Sequence, residues 1–323
     1  MSRAIVVDKT GGPEVLRIAE HDPGPPGEGQ VRVRVAAAGV NFIDVYFRTG
    51  LYARALPFVA GLEGAGRVEA VGEGVAGLSP GDRVAWASAP GSYADVVVAP
   101  AAQLVRVPDE VTDEIAAAVM LQGMTAHYLV YALREVRSGD WALVHAASGG
   151  TGLLLVQLLR SAGVRVVGTC STEAKAALVR EAGAERVVRY DREDFVAAAR
   201  EASGGRGVDV VYDGVGATTF DGSLASLRPR GLLALFGQSS GPVPPFDLQR
   251  LNAGGSLVVT RPSLAHFVAT REEFALRAQA VLGAVATGEL RVRIGGRFAL
   301  ADAACAQRAL ESRATTGKVI LVR

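Results

Sequence analysis

The first third of the chain contains short alternating or apolar segments separated by turns. The stretch Val31-Arg32-Val33-Arg34-Val35 alternates residue by residue, and further short apolar runs lie between glycine and proline turns. Alternation of this kind predicts half-buried strands, and many short strands joined by tight turns predict a compact barrel. The other predicted strands are 64–71, 83–86, 93–98 and 104–107. We therefore predict an all-β part over residues 1 to about 122.

The pattern changes after Asp113, where apolar runs without alternation follow segments of helical periodicity. Apolar strands that alternate with helices predict an α/β fold with a doubly wound parallel sheet, and six such strands match two mononucleotide-binding halves. The predicted strands are 141–146, 165–169, 186–190, 208–213, 231–237 and 256–260. The predicted helices are 114–120, 125–134, 150–162, 172–182, 193–202, 218–227 and 247–251. Beyond Pro262 we expect a helix at 271–286, a strand at 292–298, a helix at 301–313 and a strand at 318–322.

Composition narrows the class of protein. The 323 residues suffice for roughly two domains, and nearly half of them are hydrophobic, so each domain can build a core. The formal net charge of +1, without a long block of like charge, argues against a nucleic-acid or membrane surface. The two cysteines, Cys170 and Cys305, cannot form a disulfide framework or a structural zinc cluster.

Two further features concern location and lysine content. The segment before Lys9 has too few apolar residues for a signal peptide, and the most apolar stretch ends at Arg160, well short of a membrane span. We therefore expect a cytoplasmic protein. Three lysines stand against 31 arginines, which makes the role of each lysine easier to interpret.

A glycine-rich turn follows the first predicted parallel strand. It reads Ala146-Ala147-Ser148-Gly149-Gly150-Thr151-Gly152 and leads into a predicted helix. Glycines at such a turn allow close approach of a pyrophosphate, whose charge is stabilised by N–H groups at the helix N-terminus. The glycines alone would also fit an ordinary tight turn. A predicted strand precedes these glycines, a predicted helix follows them, and five more predicted strands alternate with helices. We therefore predict a dinucleotide-binding site.

The end of the second parallel strand indicates which dinucleotide binds. An NAD site usually has an acidic residue there for the ribose 2′-hydroxyl. Here the strand ends in Cys170-Ser171-Thr172, and Glu173 falls in the first helical turn, where an acid is also favoured by the helix dipole. Lys175 follows two residues later. Hydroxyls and a lysine suit a 2′-phosphate and predict NADPH, while the alternative makes Lys175 a solvated helix residue.

Several longer motifs resemble those of the zinc-free quinone oxidoreductases, relatives of ζ-crystallin in the medium-chain dehydrogenase/reductase superfamily. The resemblance covers essentially the whole chain. The motifs are 41–46 (NFIDVY), 50–52 (GLY), 61–66 (GLEGAG), 122–126 (QGMTA), the 145–152 turn, 236–240 (FGQSS), 260–263 (TRPS) and 311–318 (ESRATTGK).

The resemblance implies a GroES-like β-barrel domain and a Rossmann domain, with NADPH in the cleft. It also implies homodimers that form through the last Rossmann strand. The expected boundaries are 1–123 for the first part of the GroES-like catalytic domain, 124–262 for the NADPH-binding domain and 263–323 for the return to the catalytic domain.

The resemblance also assigns residues to the cofactor. Asn41 and Thr125 would approach the nicotinamide, and Arg313 would reach back across the cleft. Gly149, Gly150, Thr151 and Gly152 would hold the pyrophosphate, and Thr172, Lys175 and Tyr190 the adenosine end with its phosphate. Phe236, Gly237, Gln238 and Ser239 would line the nicotinamide ribose.

The catalytic part lacks the ligands of a zinc enzyme. Zinc alcohol dehydrogenases place Cys and His where this chain has Asn41 and Leu62, so we expect no metal. Tyr46 and Tyr52 each offer a ring and a hydroxyl to a flat acceptor, although both also suit barrel packing. Glu63 is interpreted as a buried structural partner. Some family members carry lysine at the position of Gln122. Because glutamine is neutral, we do not expect a charged role at this position.

These features together predict NADPH-dependent reduction of quinones by hydride transfer without zinc. Reduction of an activated double bond, as in 2-alkenals or enones, is the alternative within enzymes, because it also gives a resonance-stabilised anion. A different class, an NADPH-binding protein that binds nucleic acid or is structural, is disfavoured by the near-neutral charge. Among the remaining polar residues, His145 is interpreted as a core histidine and Asp213 as a turn cap.

Overall fold

The computed structural model describes residues 2–323, which fold into two compact units. The first contains the chain up to Met124 together with Val268–Arg323, and the second is Thr125–Phe267. In the described part of the chain, no helix combines the length and the apolar character needed to cross a membrane.

The elements follow in chain order, and the second unit is inserted between two parts of the first. Up to the long central helix they are β1 (Arg3–Val7), β2 (Leu16–Glu20), β3 (Gln30–Val40), α1 (Phe42–Thr49), β4 (Phe58–Val59), β5 (Glu63–Val71), β6 (Arg83–Trp86), β7 (Val96–Pro100), β8 (Val105–Arg106) and α2 (Asp113–Tyr131). The second unit continues with β9 (Trp141–Val144), α3 (Gly150–Ser161), β10 (Arg165–Cys170), α4 (Glu173–Ala182), β11 (Arg186–Arg189), α5 (Phe195–Ala202), β12 (Val208–Asp213), α6 (Phe220–Ser226), β13 (Leu227–Leu235), α7 (Gln249–Ala253), β14 (Val258–Thr260) and α8 (Leu264–Phe267). The chain ends with α9 (Arg271–Ala286), β15 (Ile294–Ala299), α10 (Ala303–Glu311) and β16 (Lys318–Val322).

The first unit is built on β3, an 11-residue strand that pairs with three others. The seven-stranded sheet runs β15-β16-β3-β5-β6-β8, with β7 on another stretch of β3, and a second sheet runs β2-β1-β4. The predicted alternation is confirmed, since Val31, Val33 and Val35 are buried. These valines join Trp86 and Tyr93 in the core of this unit. The family resemblance therefore predicted the architecture of this unit correctly.

The second unit contains the predicted six-stranded parallel sheet. Its order is β11-β10-β9-β12-β13-β14, and every pairing is parallel. The sheet is thus extended in opposite directions from the pair β9–β12, as in a doubly wound dinucleotide-binding fold. In such a sheet ligands bind beyond the carboxyl ends of the strands. The loops after β9, β10, β12 and β13 lie at this edge of the sheet and are therefore the candidates for cofactor binding.

Two predictions about local structure are wrong. Residues 1–122 are not all-β, because residues 42–49 form α1. This helix is favoured at both ends: Asp44 Oδ2 accepts the Asn41 N–H at 2.9 Å, and Gly50 ends the helix with a φ of 82°. The helices predicted at 114–120 and 125–134 are one continuous helix, α2. A Cβ at Gly123 would lie 2.6 Å from Val281 Cγ1, so this glycine permits close packing within the first unit and does not break the helix.

Candidate active site

Strand register in the first unit brings three distant polar residues together. Gly39 of β3 lies opposite Glu63, the first residue of β5, and Val40 lies opposite Val319 of β16. Asn41 follows β3 directly, and Lys318 begins β16. Three strand ends therefore place Asn41, Glu63 and Lys318 at one point of the sheet.

These three side chains form a closed hydrogen-bonded cluster, which we call the lysine cluster. Lys318 Nζ donates to Asn41 Oδ1 at 2.6 Å and to Glu63 Oε2 at 2.5 Å. Asn41 Nδ2 donates to Glu63 Oε2 at 2.7 Å and to the Gly39 carbonyl at 3.3 Å. The other carboxylate oxygen, Glu63 Oε1, accepts the Leu121 N–H at 2.7 Å. Glu63 is thus a buried structural partner, as the sequence predicts.

The lysine cluster is almost completely withdrawn from water. The exposed fractions are 3% for Asn41, 0% for Glu63 and 1% for Lys318. Burial lowers the pKa of the Lys318 ammonium group, and the adjacent Glu63 carboxylate opposes that effect. Removing one partner of such a buried pair costs about 3–5 kcal/mol, because the other charge is left without compensation. The three side chains are therefore bound to one another and shielded from water.

Asp44 belongs to the same buried region. Its Oδ2 accepts both the Asn41 N–H and the Tyr93 hydroxyl, the latter at 2.8 Å, while Oδ1 is buried without a hydrogen-bond partner. Burial raises the pKa of Asp44 to about 6, although the hydrogen bond from Tyr93 acts in the opposite direction. Asp44 is the third residue of α1, and its carboxylate completes a capping box by accepting the N–H of the N-cap residue Asn41.

Tyr46 and Tyr52 lie next to each other. Their ring centroids are 5.1 Å apart with an interplanar angle of 61°, and Tyr52 also packs edge-on against Phe47. Tyr46 is 8% exposed and Tyr52 is half-buried. The two residues predicted to contact the substrate thus pack against each other. Tyr52 is the more exposed of the two. Their part in catalysis stays a prediction.

The glycine-rich turn of the second unit has the features of a phosphate-binding loop. It follows β9 and leads into α3, whose N-cap is Gly149. A Cβ at Gly152 would lie 2.4 Å from the Ala146 carbonyl oxygen, so only glycine fits there. Ala146 stands where the usual fingerprint has its first glycine, and it adopts a φ of 49°. Such a conformation costs an alanine about 1–2 kcal/mol, which indicates that the turn geometry itself is enforced by the fold.

The start of α4 presents the predicted phosphate-binding residues. Thr172 caps the helix and accepts the Lys175 N–H, and Lys175 Nζ lies 3.4 Å from Ser171 Oγ. Glu173 is committed elsewhere, since its carboxylate binds Arg180 at 2.6 Å and lies 3.8 Å from Arg189. The hydroxyls and the lysine are therefore close together, and the one nearby acid is engaged by arginines. This donor set fits a 2′-phosphate.

The remaining residues predicted to bind the cofactor lie in the loop after β13 and at three separate positions. The loop with Phe236, Gly237, Gln238 and Ser239 follows β13 and is tied to the loop after β12, because Phe236 N and Ser239 N donate to Asp213 O and Gly214 O. Tyr190 follows β11 and is 48% exposed. Thr125 is buried in α2, and Arg313 is an exposed residue with a φ of 58° after α10. Their contacts with a cofactor stay predictions.

Two polar residues of the second unit are structural, as predicted. His145 lies between Thr169 Oγ1 and Ser223 Oγ, each 3.1 Å from one ring nitrogen, and burial lowers its pKa. Asp213 Oδ1 accepts the Val215 and Gly216 N–H groups and so caps the turn. Among residues 2–323 there is no group of three or more His, Cys, Asp or Glu side chains arranged to hold a metal ion.

Lys318 is the residue that sequence reasoning missed. Gln122 Nε2 lies 3.3 Å from Asn41 Oδ1, and the ammonium group that binds the same oxygen comes from Lys318. The available signal was the rarity of lysine together with a Gly-Lys pair before the apolar run Val319–Val322. A lysine at the start of a fully apolar strand needs a buried acid, and Glu63 in Gly-Leu-Glu-Gly was the candidate.

Comparison with known proteins identifies the family. An alcohol dehydrogenase GroES-like domain model matches residues 27–109, and a zinc-binding dehydrogenase model matches residues 150–278. A quinone oxidoreductase from Pseudomonas aeruginosa is 44% identical over the full length of both chains. The chain belongs to the quinone oxidoreductase family of the medium-chain dehydrogenase/reductase superfamily.

Two further relatives bear on the cofactor and the acceptor. A mycobacterial protein solved in complex with NADPH superposes with a TM-score of 0.97 at 52% identity, covering 99% of this chain and 100% of that one. A 2-haloacrylate reductase from a Burkholderia species is 40% identical, with 100% of this chain and 99% of the relative covered. The mycobacterial protein was solved with NADPH bound. The Burkholderia protein is named for the reduction of a haloacrylate.

Proposed function

We propose that this protein reduces quinones with NADPH by hydride transfer and without a metal ion. The observation that carries the proposal is the lysine cluster. By family resemblance Asn41 stands where a zinc enzyme has a metal ligand, and its amide is already bound by Lys318 and Glu63. The neighbouring position that would supply a histidine is Leu62. The acceptor must therefore be one that needs no Lewis acid.

Quinones meet this requirement. Hydride transfer to a simple ketone leaves an alkoxide, whereas transfer to a quinone leaves a phenolate-like oxygen. With a phenol pKa of about 10 and about 15.7 for water as a stand-in for the alcohol, the quinone-derived anion is easier to form by about 6 pKa units. This difference corresponds to about 8 kcal/mol of product-anion stability, of which a part is expressed in the transition state. The acceptor itself supplies what zinc would otherwise provide.

NADPH supplies the hydride when it is bound. The proposal assigns the pyrophosphate to the turn Gly149–Gly152, where the N-terminus of α3 and the absence of side chains at Gly149, Gly150 and Gly152 allow close approach. Ser171, Thr172 and Lys175 would hold the 2′-phosphate. The solved NADPH complex of the mycobacterial relative supports this choice of cofactor.

The first unit would act on the acceptor. We assign the wall beside the reacting ring to Asn41, and the flat face of the quinone to the aromatic pair Tyr46 and Tyr52. Tyr52, which is half-buried, would donate its hydroxyl to a quinone oxygen, while the more buried Tyr46 would mainly supply its ring. These residues orient the acceptor and exclude water, which are the tasks that remain when the acceptor stabilises its own charge.

Reduction of an activated carbon–carbon double bond is the second candidate. The 2-haloacrylate reductase relative supports it, since its name describes a conjugated alkene as the acceptor. The resulting anion is also delocalised, so the same metal-free site would serve.

We further propose a cytoplasmic homodimer that forms through β14. This strand is the last in the sheet order, and Val258 within it is 52% exposed. An open edge strand with an exposed apolar residue favours pairing with a second copy.

Steady-state kinetics test the proposed activity. The purified protein is assayed with a panel of quinones and a matched panel of enones and 2-alkenals, each with NADPH and with NADH. The proposal expects the highest kcat/KM for a quinone with NADPH. Higher values across the enone panel would favour the second candidate, and tight NADPH binding without turnover of any acceptor would contradict both.

A further inference from the structure

We propose that Lys318 is a positioning residue that holds the Asn41 side-chain amide in a single orientation. Lys318 Nζ donates to Asn41 Oδ1 at 2.6 Å, while Asn41 Nδ2 donates to Glu63 Oε2 at 2.7 Å. The ammonium group and the carboxylate thus bind opposite ends of the same amide.

Charge makes this orientation unique. If the amide rotated by half a turn, its N–H groups would face the Lys318 ammonium group and its oxygen would face the Glu63 carboxylate. Both contacts would be repulsive, whereas both are attractive in the observed orientation. The neutral partners, the Gly39 carbonyl and Gln122 Nε2, favour the same orientation but more weakly, because hydrogen bonds to charged groups are about twice as strong.

The amide has no spare hydrogen-bonding capacity. Its oxygen accepts from Lys318 and, at 3.3 Å, from Gln122 Nε2, and its two N–H groups are used by Glu63 and by the Gly39 carbonyl. Since Asn41, Glu63 and Lys318 are each at most 3% exposed, water does not compete for these contacts. Asn41 therefore presents a fixed surface, and we do not assign it a hydrogen bond to substrate.

The effect on catalysis depends on the proposed place of Asn41 beside the reacting ring and so rests on the proposed function. A mobile amide at that place would loosen the geometry of the reacting groups without touching the phosphate contacts of the other unit. We expect Lys318→Met to lower kcat with quinones about tenfold, because small misplacements at a reacting centre are costly. We expect the NADPH dissociation constant to change less than about twofold, since positioning acts after binding.

The orientation itself can be measured without any activity, because the chain has two asparagines, Asn41 and Asn252. Protein labelled with ¹⁵N-asparagine gives two side-chain NH₂ signals in an NMR spectrum. Asn252 is exposed and serves as the internal reference, and Lys9→Met, which removes an exposed lysine, is the matched control variant. The readout is the hydrogen-exchange rate of each side-chain amide.

We expect Lys318→Met to accelerate exchange at Asn41 Nδ2 at least about tenfold, because the oxygen end of the amide loses its charged partner and the side chain then leaves its hydrogen bonds more often. Exchange at Asn252 should not change, and Lys9→Met should alter neither signal. A folded Lys318→Met variant with unchanged exchange at Asn41 would overturn the proposal.

A second variant covers the case in which Lys318→Met fails to fold. Gln122→Lys combined with Lys318→Met returns an ammonium group from a side chain that already lies 3.3 Å from the same oxygen. We expect this double variant to fold, to restore slow exchange at Asn41 and to recover most of the lost kcat. A folded double variant with fast exchange, or failure of both variants to fold while Lys9→Met folds, would reject positioning through charge. Absence of quinone turnover in the unmodified protein would reject the proposed function alone and leave the exchange measurement valid.

Discussion

Lys318 Nζ lies 2.6 Å from Asn41 Oδ1, although 277 positions separate the two residues in the chain. The contact exists because β3 pairs with both β5 and β16, so that the end of one strand meets the beginnings of two others. It places the ammonium group of Lys318 between the Asn41 amide and the Glu63 carboxylate. Several consequences of this arrangement and of the glycine-rich turn can be tested.

The proposal assigns recognition of the 2′-phosphate to Lys175. Replacement by alanine would remove this proposed charge-assisted contact, so we expect NADPH binding to weaken about tenfold or more while NADH binding changes less than about twofold. Fluorescence titration of both cofactors measures this difference. Lys9→Ala removes an exposed lysine of the other unit and is expected to change neither constant. Equal weakening for NADPH and NADH would contradict the assignment.

Gly152 is expected to tolerate no side chain. Because a Cβ there would lie 2.4 Å from the Ala146 carbonyl oxygen, Gly152→Ala should lower the free energy of unfolding by about 1–3 kcal/mol and weaken NADPH binding. Gly283 is the matched control, since it lies in α9 with nothing within 4 Å of a built Cβ. Gly283→Ala should stabilise the protein by about 0.5–1 kcal/mol. Urea unfolding measures both values, and equal effects of the two substitutions would be inconsistent with a restricted turn.

Asp44 should make stability depend on pH in a defined direction. Its pKa in the folded protein is raised to about 6 from 3.8, so between these values the folded state binds the proton more strongly than the unfolded state. The contribution of Asp44 to stability therefore falls as the pH rises from about 4 to 6 and is constant above that range.

An amide cannot ionise, so Asp44→Asn removes this dependence. Relative to the unmodified protein, the variant should gain about 3 kcal/mol in unfolding free energy as the pH rises from about 4 to 6. Urea unfolding over that range gives the difference. Asp109→Asn, at an exposed position, should show no such trend. A difference that stays constant with pH would refute the raised pKa.

The hydroxyl of Tyr52 is predicted to contact the acceptor. Tyr52→Phe keeps the ring but removes the donor, and we expect kcat/KM for quinones to fall about tenfold. Tyr52→Ala, which also removes the ring, should cost more. Tyr131→Phe is a suitable control, because Tyr131 is 51% exposed and has no assigned role. Unchanged kcat/KM in Tyr52→Phe would limit Tyr52 to packing.

The sequence predicted the second unit better than the first. Continuous apolar strands such as Trp141–Val144 are easy to recognise when helices separate them, and this pattern predicts the six-stranded parallel sheet. Helix α1 was missed because its cap at Asp44 and its end at Gly50 lie within a β-rich region whose strand signals dominate. The sequence pattern alone did not distinguish this short helix from the surrounding strands.

In the candidate site, residues that are close together in the sequence were predicted, and residues that only the fold brings together were not. The glycine-rich turn and Lys175 lie within one continuous stretch of chain, so their chemistry is visible in the sequence. Lys318 was not identified because its partner Glu63 is 255 residues away, and only strand pairing brings them together. Gln122 contacts Asn41 Oδ1 through its neutral amide, but the location of the positive charge at the same oxygen could not be derived from neighbouring residues.

The central claim is that quinone reduction here needs no metal ion. The most direct measurement is the turnover of a quinone with NADPH after exhaustive dialysis against a strong chelator, with the metal content of the same sample determined in parallel. We predict unchanged kcat and KM in the metal-depleted protein. Loss of turnover on dialysis, with recovery when zinc is added back, would contradict the account.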